Sequence, residues 1–547
     1  MKNVNEKYSV TGVVVDPVSR KKFGAEIFIE DGFIAGIEQR PDVTSPFILP
    51  GLVDSHVHIE SSMLIPSKFA RMAVRHGTTA VVTDPHEVAN VAGEDGIKFM
   101  IENAESVPLK FYFGLPSCVP ASPLEKSGAI LDSSVVKRLI KEDKFYYLAE
   151  MMNFPGVINN DSDVIGKIEA TKKAEKPIDG HAPGITGKSL EAYTKAGVST
   201  DHECSTIEEA REKISRGMKI QIREGSAARN FDNLIELINE SPKSVMFCTD
   251  DCHPDYLQAG HINKLMANAI KRGYDIFDLL QAICLNPREH YKISTGTLQI
   301  NDPADIVVVE DLKSFKVLQT YINGNNVFNN GTVNIPEINV APPSFKFREK
   351  HVTGNLDVVC KGDIINVIGV IKGELLTKWI KEKSPVPPGS IVKSSTENDI
   401  LKIVLLDRYD STKPVVAFIR GFELKRGAIA SSVAHDSHHI IAVGVDDKSI
   451  DTALNWVVNN NGGLCYANEK DTTGIPLPFY GLMTNDDGEK VSELYKELNH
   501  RVKENGCALD APFMTLSFMA LTVIPELKIY HNGLFDGINF KQASLFD

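Results

Sequence analysis

Pro50–Met63 reads PGLVDSHVHIESSM, and the fold is decided here. Leu52–His58 is a largely apolar run that ends in His56-Val57-His58. On a strand, alternate residues face the same side, so both imidazoles share one face. In a parallel α/β barrel the chemistry collects where the strands end. Seven more apolar runs follow: TTAVVTD (78–84), KFYFGLP (110–116), FYYLAEM (145–151), KPIDGH (176–181), VSTDHE (198–203), KIQIREG (219–225) and SVMFCTD (244–250). Amphipathic segments lie between them, such as IPSKFARMAVRHG (65–77), SLEAYTKAG (189–197), TIEEAREKISRG (206–217) and NFDNLIELINE (230–240). Several close on a helix-stopping glycine. This rhythm over residues 51–291 predicts an α/β fold of (β/α)₈ TIM-barrel type, with a doubly wound open sheet as the alternative.

Working outward, the first ~50 residues alternate like strands (TGVVVDP, AEIFIEDGFIAGIEQ, PFILPG), as do ADIVVVEDL and KVLQTYINGNNVF much later. Turn signals sit at Asp31-Gly32 and Asn323-Gly324. The economical reading is one small β domain, sandwich-like, built from residues 1–50 plus 292–340. After a proline-containing joint, APPSFKFREKH, strand-like and helical pieces mix through residues 341–547, which predicts a separate C-terminal α+β domain.

Composition narrows the function classes. The formal net charge of −13 over 547 residues argues against a broad nucleic-acid or anionic-membrane surface. The eight cysteines are scattered singly apart from Cys248 and Cys252, and MKNVNEKYSV has no apolar leader, so a reducing cytoplasm is expected. The apolar stretch Ala511–Ile529 is broken by Pro512, Thr515, Ser517, Thr522, Pro525 and Glu526, and reads as a core helix or strand.

The strand ends carry, in order, His56 and His58; Asp84 with His86 and Glu87; Glu150; His181; His202 with Glu203; and Asp250 with Asp251. Imidazoles and carboxylates are the ligands that Zn²⁺, Fe²⁺ and Mn²⁺ accept. The set of strand ends is the strong signal; an HxH pair alone is weak. A cytidine-deaminase type of zinc site is excluded: His58-Ile59-Glu60 imitates its first half, but no P-C-x-x-C occurs. Cys248 and Cys252 read as core or lining thiols. Arg223 and Arg229 flank EGSAA and either steady a substrate or cap that loop. His435, Asp436, His438 and His439 form a further cluster that could bind metal or line the mouth of the site.

PGLVDSHVHIESSM, with the preceding strands and the closing ADIVVVEDL, resembles the amidohydrolase superfamily. The longer strings TDPHEVANVAG, DGHAPGITGK, STDHECSTIEEA, FCTDDCHPD and SSVAHDSHHI resemble its adenine deaminase family, bacterial and archaeal type, across nearly the whole chain. The resemblance implies two divalent ions per chain, Mn or Fe first and Zn also suitable. One would be held by His56, His58 and Asp250 and the other by His181 and His202, with Glu150 as bridge in place of a carbamylated lysine. Ions so bridged share a water and lower its pKa to supply hydroxide. Adenine would then become hypoxanthine and ammonia. Asp250 would shuttle the water's proton and Glu87, or else Glu203, would protonate the ring. Asp84, His86, Asp251 and His435 are the expected substrate contacts. The expected partner is a small-molecule purine, with no nucleic acid and no membrane, in a homodimer or higher homo-oligomer. Two other readings stay open: an amidohydrolase acting on a cyclic amide or N-acyl substrate, and a non-catalytic assembly protein on the same barrel.

Overall fold

The computed structural model describes residues 7–226, 228–348, 355–410 and 412–547. The chain divides into two compact units. The first is Met1–Pro85, Lys98–Cys118 and Leu131–Asn339; the second is His86–Ile97, Val119–Ile130 and Val340–Asp547.

In the first unit, eight short strands follow one another along the chain: β1 (Leu52–His58), β2 (Thr78–Thr83), β3 (Lys110–Leu115), β4 (Phe145–Met151), β5 (Ile178–Gly180), β6 (Thr200–Asp201), β7 (Lys219–Arg223) and β8 (Val245–Cys248). β1 to β5 pair in parallel, each with its successor, and so do β6 to β8. Just past β8, Asp250 and Asp251 pair in parallel with Val57 and His58. Ser199 donates its N–H to the Ile178 carbonyl at 2.9 Å, which puts β6 beside β5. This parallel arrangement is TIM-like, and helices connect its strands. Those helices begin and end as their sequences require. Asp161 accepts from the Asp163 and Val164 amides at one N-terminus, and Gly197 ends another helix at φ 109°, where a side chain would be strained.

Residues from both ends of this unit build one eight-stranded sheet, in the order Thr332–Val333, Asn325–Asn329, Val317–Ile322, Ile306–Val309, Phe47–Pro50, Lys7–Asp16, Lys21–Glu30, Phe33–Gln39. Asp31-Gly32 and Asn323-Gly324 each take two successive positive φ values, the two-residue hairpin turn that suits the strands' twist.

The second unit has its own eight-stranded sheet, from Thr377–Lys383 at one edge to Thr472–Pro476 at the other, with Asp447–Asn459 packed on it by Ile450, Ala453, Leu454 and Val457. Residues 511–529, read from sequence as core, form the helix Pro512–Ser517 and the start of the strand Leu527–Tyr530. Among the described residues no helix is long and apolar enough to cross a membrane.

Two expectations are corrected. The strands expected over 176–181 and 198–203 shrink to Ile178–Gly180 and Thr200–Asp201. Pro177 lacks the N–H that a longer ladder needs. His86 and Glu87 do not end a strand; they open the helix His86–Ala104. Segments 86–97 and 119–130 group with the second unit, where their polar groups bond. Tyr409 Oη donates to the Asn90 carbonyl, and Lys126 pairs with Asp407 at 2.5 Å.

Candidate metal centre

Within the first unit, six side chains predicted from strand ends converge. β1 brings His56 and His58 with ring centroids 4.8 Å apart, and His56 stacks on His202 at 4.2 Å. Asp250 Oδ1 lies 3.2 Å from His58 Nε2 and 3.6 Å from His56 Nε2. Glu150, at the end of β4, divides its oxygens. Oε1 is 3.3 Å from His58 Nε2, while Oε2 is 2.7 Å from His181 Nδ1 and 3.3 Å from His202 Nε2. The carboxylate therefore faces both sets of histidines at once.

The local electrostatics suit acceptors. Burial alone would raise the Glu150 carboxyl, but His181, His202 and His58 hold it well below the usual carboxylate range. Burial opposes ionisation of Asp250 too, and is outweighed by Arg223 and by the histidines of β1. His58 donates Nδ1–H to the Asp84 carbonyl at 3.1 Å, which turns the Nε2 lone pair inward. His56 is fully buried, yet among the described residues neither of its nitrogens has a hydrogen-bond partner. An imidazole in that state is costly unless its lone pair is taken by something such as a cation. The donor set, nitrogen and carboxylate oxygen together, is the one divalent first-row ions accept. The residues present fit such ions. His56, His58 and Asp250 form one group able to hold a metal, and His56, Glu150 and His202 form another.

Several supports escaped the sequence reading. Arg223, weighed there as a substrate contact or loop cap, donates to Asp250 Oδ2 at 2.6 Å and grips Glu203 through both terminal nitrogens. Asp54, two residues before His56 and so on the same strand face, accepts from the backbone N–H groups of His56 (3.3 Å) and Thr249 (3.1 Å). His261 lies 3.0 Å behind it and bonds to Thr78 Oγ1 at 2.7 Å. Asp201 ties the second pair together: next to His202 in sequence, it accepts the Ala182 N–H at 2.8 Å and Lys213 Nζ at 2.9 Å. The alternation D-x-H-x-H was the one available signal for Asp54. Nothing local marks the others.

The remaining candidates separate. Asp251 accepts from Ser61 Oγ rather than from the histidines. Asp84 contributes its backbone carbonyl to His58. Arg229 caps its own loop through the Gly225 and Ser226 carbonyls. Cys248 and Cys252 are buried thiols whose pKa values burial pushes up. In the second unit, Glu87 is buried with His86, His435 and His438. His435 Nδ1 lies 2.6 Å from Glu87 Oε1, His438 Nε2 bonds to Oε2, and His86 Nε2 is 3.4 Å from Oε1. Burial would raise the Glu87 carboxyl, and these imidazoles hold it well below the usual range. His439 turns to the Arg408 N–H instead.

Two family models match the chain. A model described as the amidohydrolase family matches residues 47–327, and one described as the adenine deaminase C-terminal domain matches residues 374–541. An adenine deaminase of Methanosarcina mazei is 47% identical over 98% of this chain and 99% of its own. One of Methanosarcina acetivorans is 50% identical over the same shares. Among solved structures, a beta-aspartyl dipeptidase of Fervidobacterium islandicum aligns with a TM-score of 0.46 and 15% identity, over 59% of this chain and 97% of that one.

Proposed function

Because the chain belongs to the amidohydrolase family, among its adenine deaminases, we propose that it hydrolyses adenine to hypoxanthine and ammonia. Full-length likeness to adenine deaminases supports the substrate. For the chemistry, the observation that carries the reading is Glu150, whose two oxygens are shared between His58 and the His181–His202 pair.

On this reading His56, His58 and Asp250 would hold one divalent ion and His181 and His202 a second, with the Glu150 carboxylate shared between the two sets. Such ions, when bound, supply Lewis acidity and make water acidic enough to react near neutral pH. Asp250 accepts a proton from the water that attacks C6, and returns it to the amino group, which leaves as ammonia. N1 gains the other proton from Glu87, with Glu203 as the alternative donor. Both carboxylates are held ionised, so the donor first takes up a proton, and the water's second proton, released as the C6 hydroxyl becomes the carbonyl, restores it. Asp84, His86, Asp251 and His435 are assigned to the purine. The pairing of Asp250–Asp251 with β1 and the β5–β6 hydrogen bond support reading the parallel strands as one closed (β/α)₈ barrel over 51–291. Residues 1–50 with 292–340 are then a flanking β domain and 341–547 an α+β domain. The reading extends to a cytoplasmic homodimer or higher homo-oligomer using Mn²⁺ or Fe²⁺, with Zn²⁺ as a substitute.

The test is ammonia release from adenine, adenosine, cytosine and guanine by the metal-loaded protein. Turnover of adenine with little of the others is expected. Hydrolysis of cyclic amides or N-acyl compounds without adenine turnover would move the chain to another amidohydrolase reaction.

A further inference from the structure

Residues 434–439 sit in an unusually polar buried neighbourhood of the second unit. His435, His438 and Glu87 are each no more than 4% exposed, yet each carries a polar head. Two imidazoles from one short loop meet the two oxygens of one carboxylate from a distant helix start, His435 Nδ1 on Oε1 at 2.6 Å and His438 Nε2 on Oε2. These three residues also form a group able to hold a metal ion. The proton positions decide between the two uses.

His438 Nδ1 accepts the Ala434 backbone N–H at 3.2 Å, so a neutral His438 carries its proton on Nε2, pointing at Glu87. A metal on Nε2 would force that proton onto Nδ1, against the Ala434 N–H. His435 Nδ1 faces a carboxylate oxygen, which only accepts, so it too donates. The loop is fixed for this task. The His435 amide donates to the Ser517 carbonyl at 3.0 Å, and the His435 ring stacks on Phe518 at 4.4 Å. Ser437 Oγ donates to the buried Glu125 at 2.6 Å, and Tyr409 Oη to the Ser437 carbonyl at 2.7 Å.

We infer that His435 and His438 are positioning residues: they clamp the Glu87 carboxylate by two hydrogen bonds, one to each oxygen, and bind no metal of their own. The clamp fixes the plane of the carboxylate and leaves its remaining lone pairs to the neighbouring His86 and to the proton it delivers to the purine. This inference rests on the assignment of Glu87 to the reaction given above.

The imidazole N–H groups have close substitutes. The Asn amide nitrogen occupies nearly the place of Nδ1, and that of Gln nearly the place of Nε2. His435→Ala and His438→Ala should each lower kcat for adenine about ten- to a hundredfold, the worth of a hydrogen bond to a charged group. His435→Asn and His438→Gln should recover to within a few-fold of the wild type. Metal content should be the same in all five proteins. In a Glu87→Ala background, His438→Ala should cost nothing further, because nothing remains to position. Asn and Gln variants as inactive as the alanine variants and short of one ion would show a metal site instead. Alanine variants with full kcat would make the loop merely structural. A wild type that releases no ammonia from adenine would fault the proposed function rather than the clamp.

Discussion

Asp250→Asn tests the proton shuttle, and the surroundings of Asp250 dictate what the amide does. Asp250 has φ 54°, a left-handed conformation that asparagine tolerates as well as aspartate, so this change adds no backbone strain where alanine would. Arg223 only donates, and it holds Oδ2 at 2.6 Å. The asparagine must therefore turn its oxygen to Arg223 and its NH₂ into the place of Oδ1, 3.2 Å from His58 Nε2. An acceptor becomes a donor at the one atom that should take the water's proton. Arg223 keeps Glu203 as partner, so no charge is orphaned and the fold should survive. A general base contributes about 10²–10⁴-fold, or about 3–5 kcal/mol of barrier. We expect kcat for adenine to fall by that range even in excess divalent metal, with metal content measured on the same sample. Asp251→Asn keeps an oxygen for Ser61 Oγ and loses only the charge assigned to the purine, so KM for adenine should rise while kcat stays within about threefold of the wild type. An Asp250→Asn enzyme within threefold of the wild type would refute the shuttle. A large loss at Asp251 with a mild one at Asp250 would move both roles by one residue.

Other consequences follow from the same geometry. Glu150→Gln can offer an oxygen to His58 or to the His181–His202 pair but not to both, so metal affinity should drop by at least about 10–100-fold and activity with it. Two retained ions with normal turnover would return Glu150 to a structural role. Asp201 offers a pH test. Burial alone would raise its carboxyl, but Lys213 and His202 outweigh burial and lower it to about 2. A depressed carboxylate stabilises the fold above its unfolded pKa and loses that contribution as pH falls through the folded one. Asp201→Asn should thus be less stable than the wild type by about 2 kcal/mol at pH 6, with the gap falling to about half by pH 3. Urea midpoints at the two pH values measure it, and a gap independent of pH would contradict the assignment.

The parts of the site that could be read from sequence are those written into strand periodicity. His56 and His58 share a face because they are two residues apart, and Glu150, His181, His202 and Asp250 follow apolar runs that had to be buried strands. The supports were not legible, because each is a pairing between distant segments. Arg223 reaches Asp250 across 27 residues of chain, His261 meets Asp54 across 207, and Glu87 meets His435 across 348, with no local pattern to record the contact. Glu87 was misplaced for a second reason. TTAVVTD ends a strand and PHEVANV begins a helix with no polar gap between them, so a strand end and a helix start read alike. The conformation of Asp250 was equally invisible: its positive φ belongs to the turn out of β8, and aspartate can adopt it without a glycine.

The most direct measurement is metal titration of the apoprotein, followed by ammonia release from adenine. The divided oxygens of Glu150 and five other converging ligands exceed what one catalytic ion needs. Activity should climb in proportion to added Mn²⁺ and level off at two equivalents per chain. A plateau of full activity at one equivalent would contradict the two-ion account.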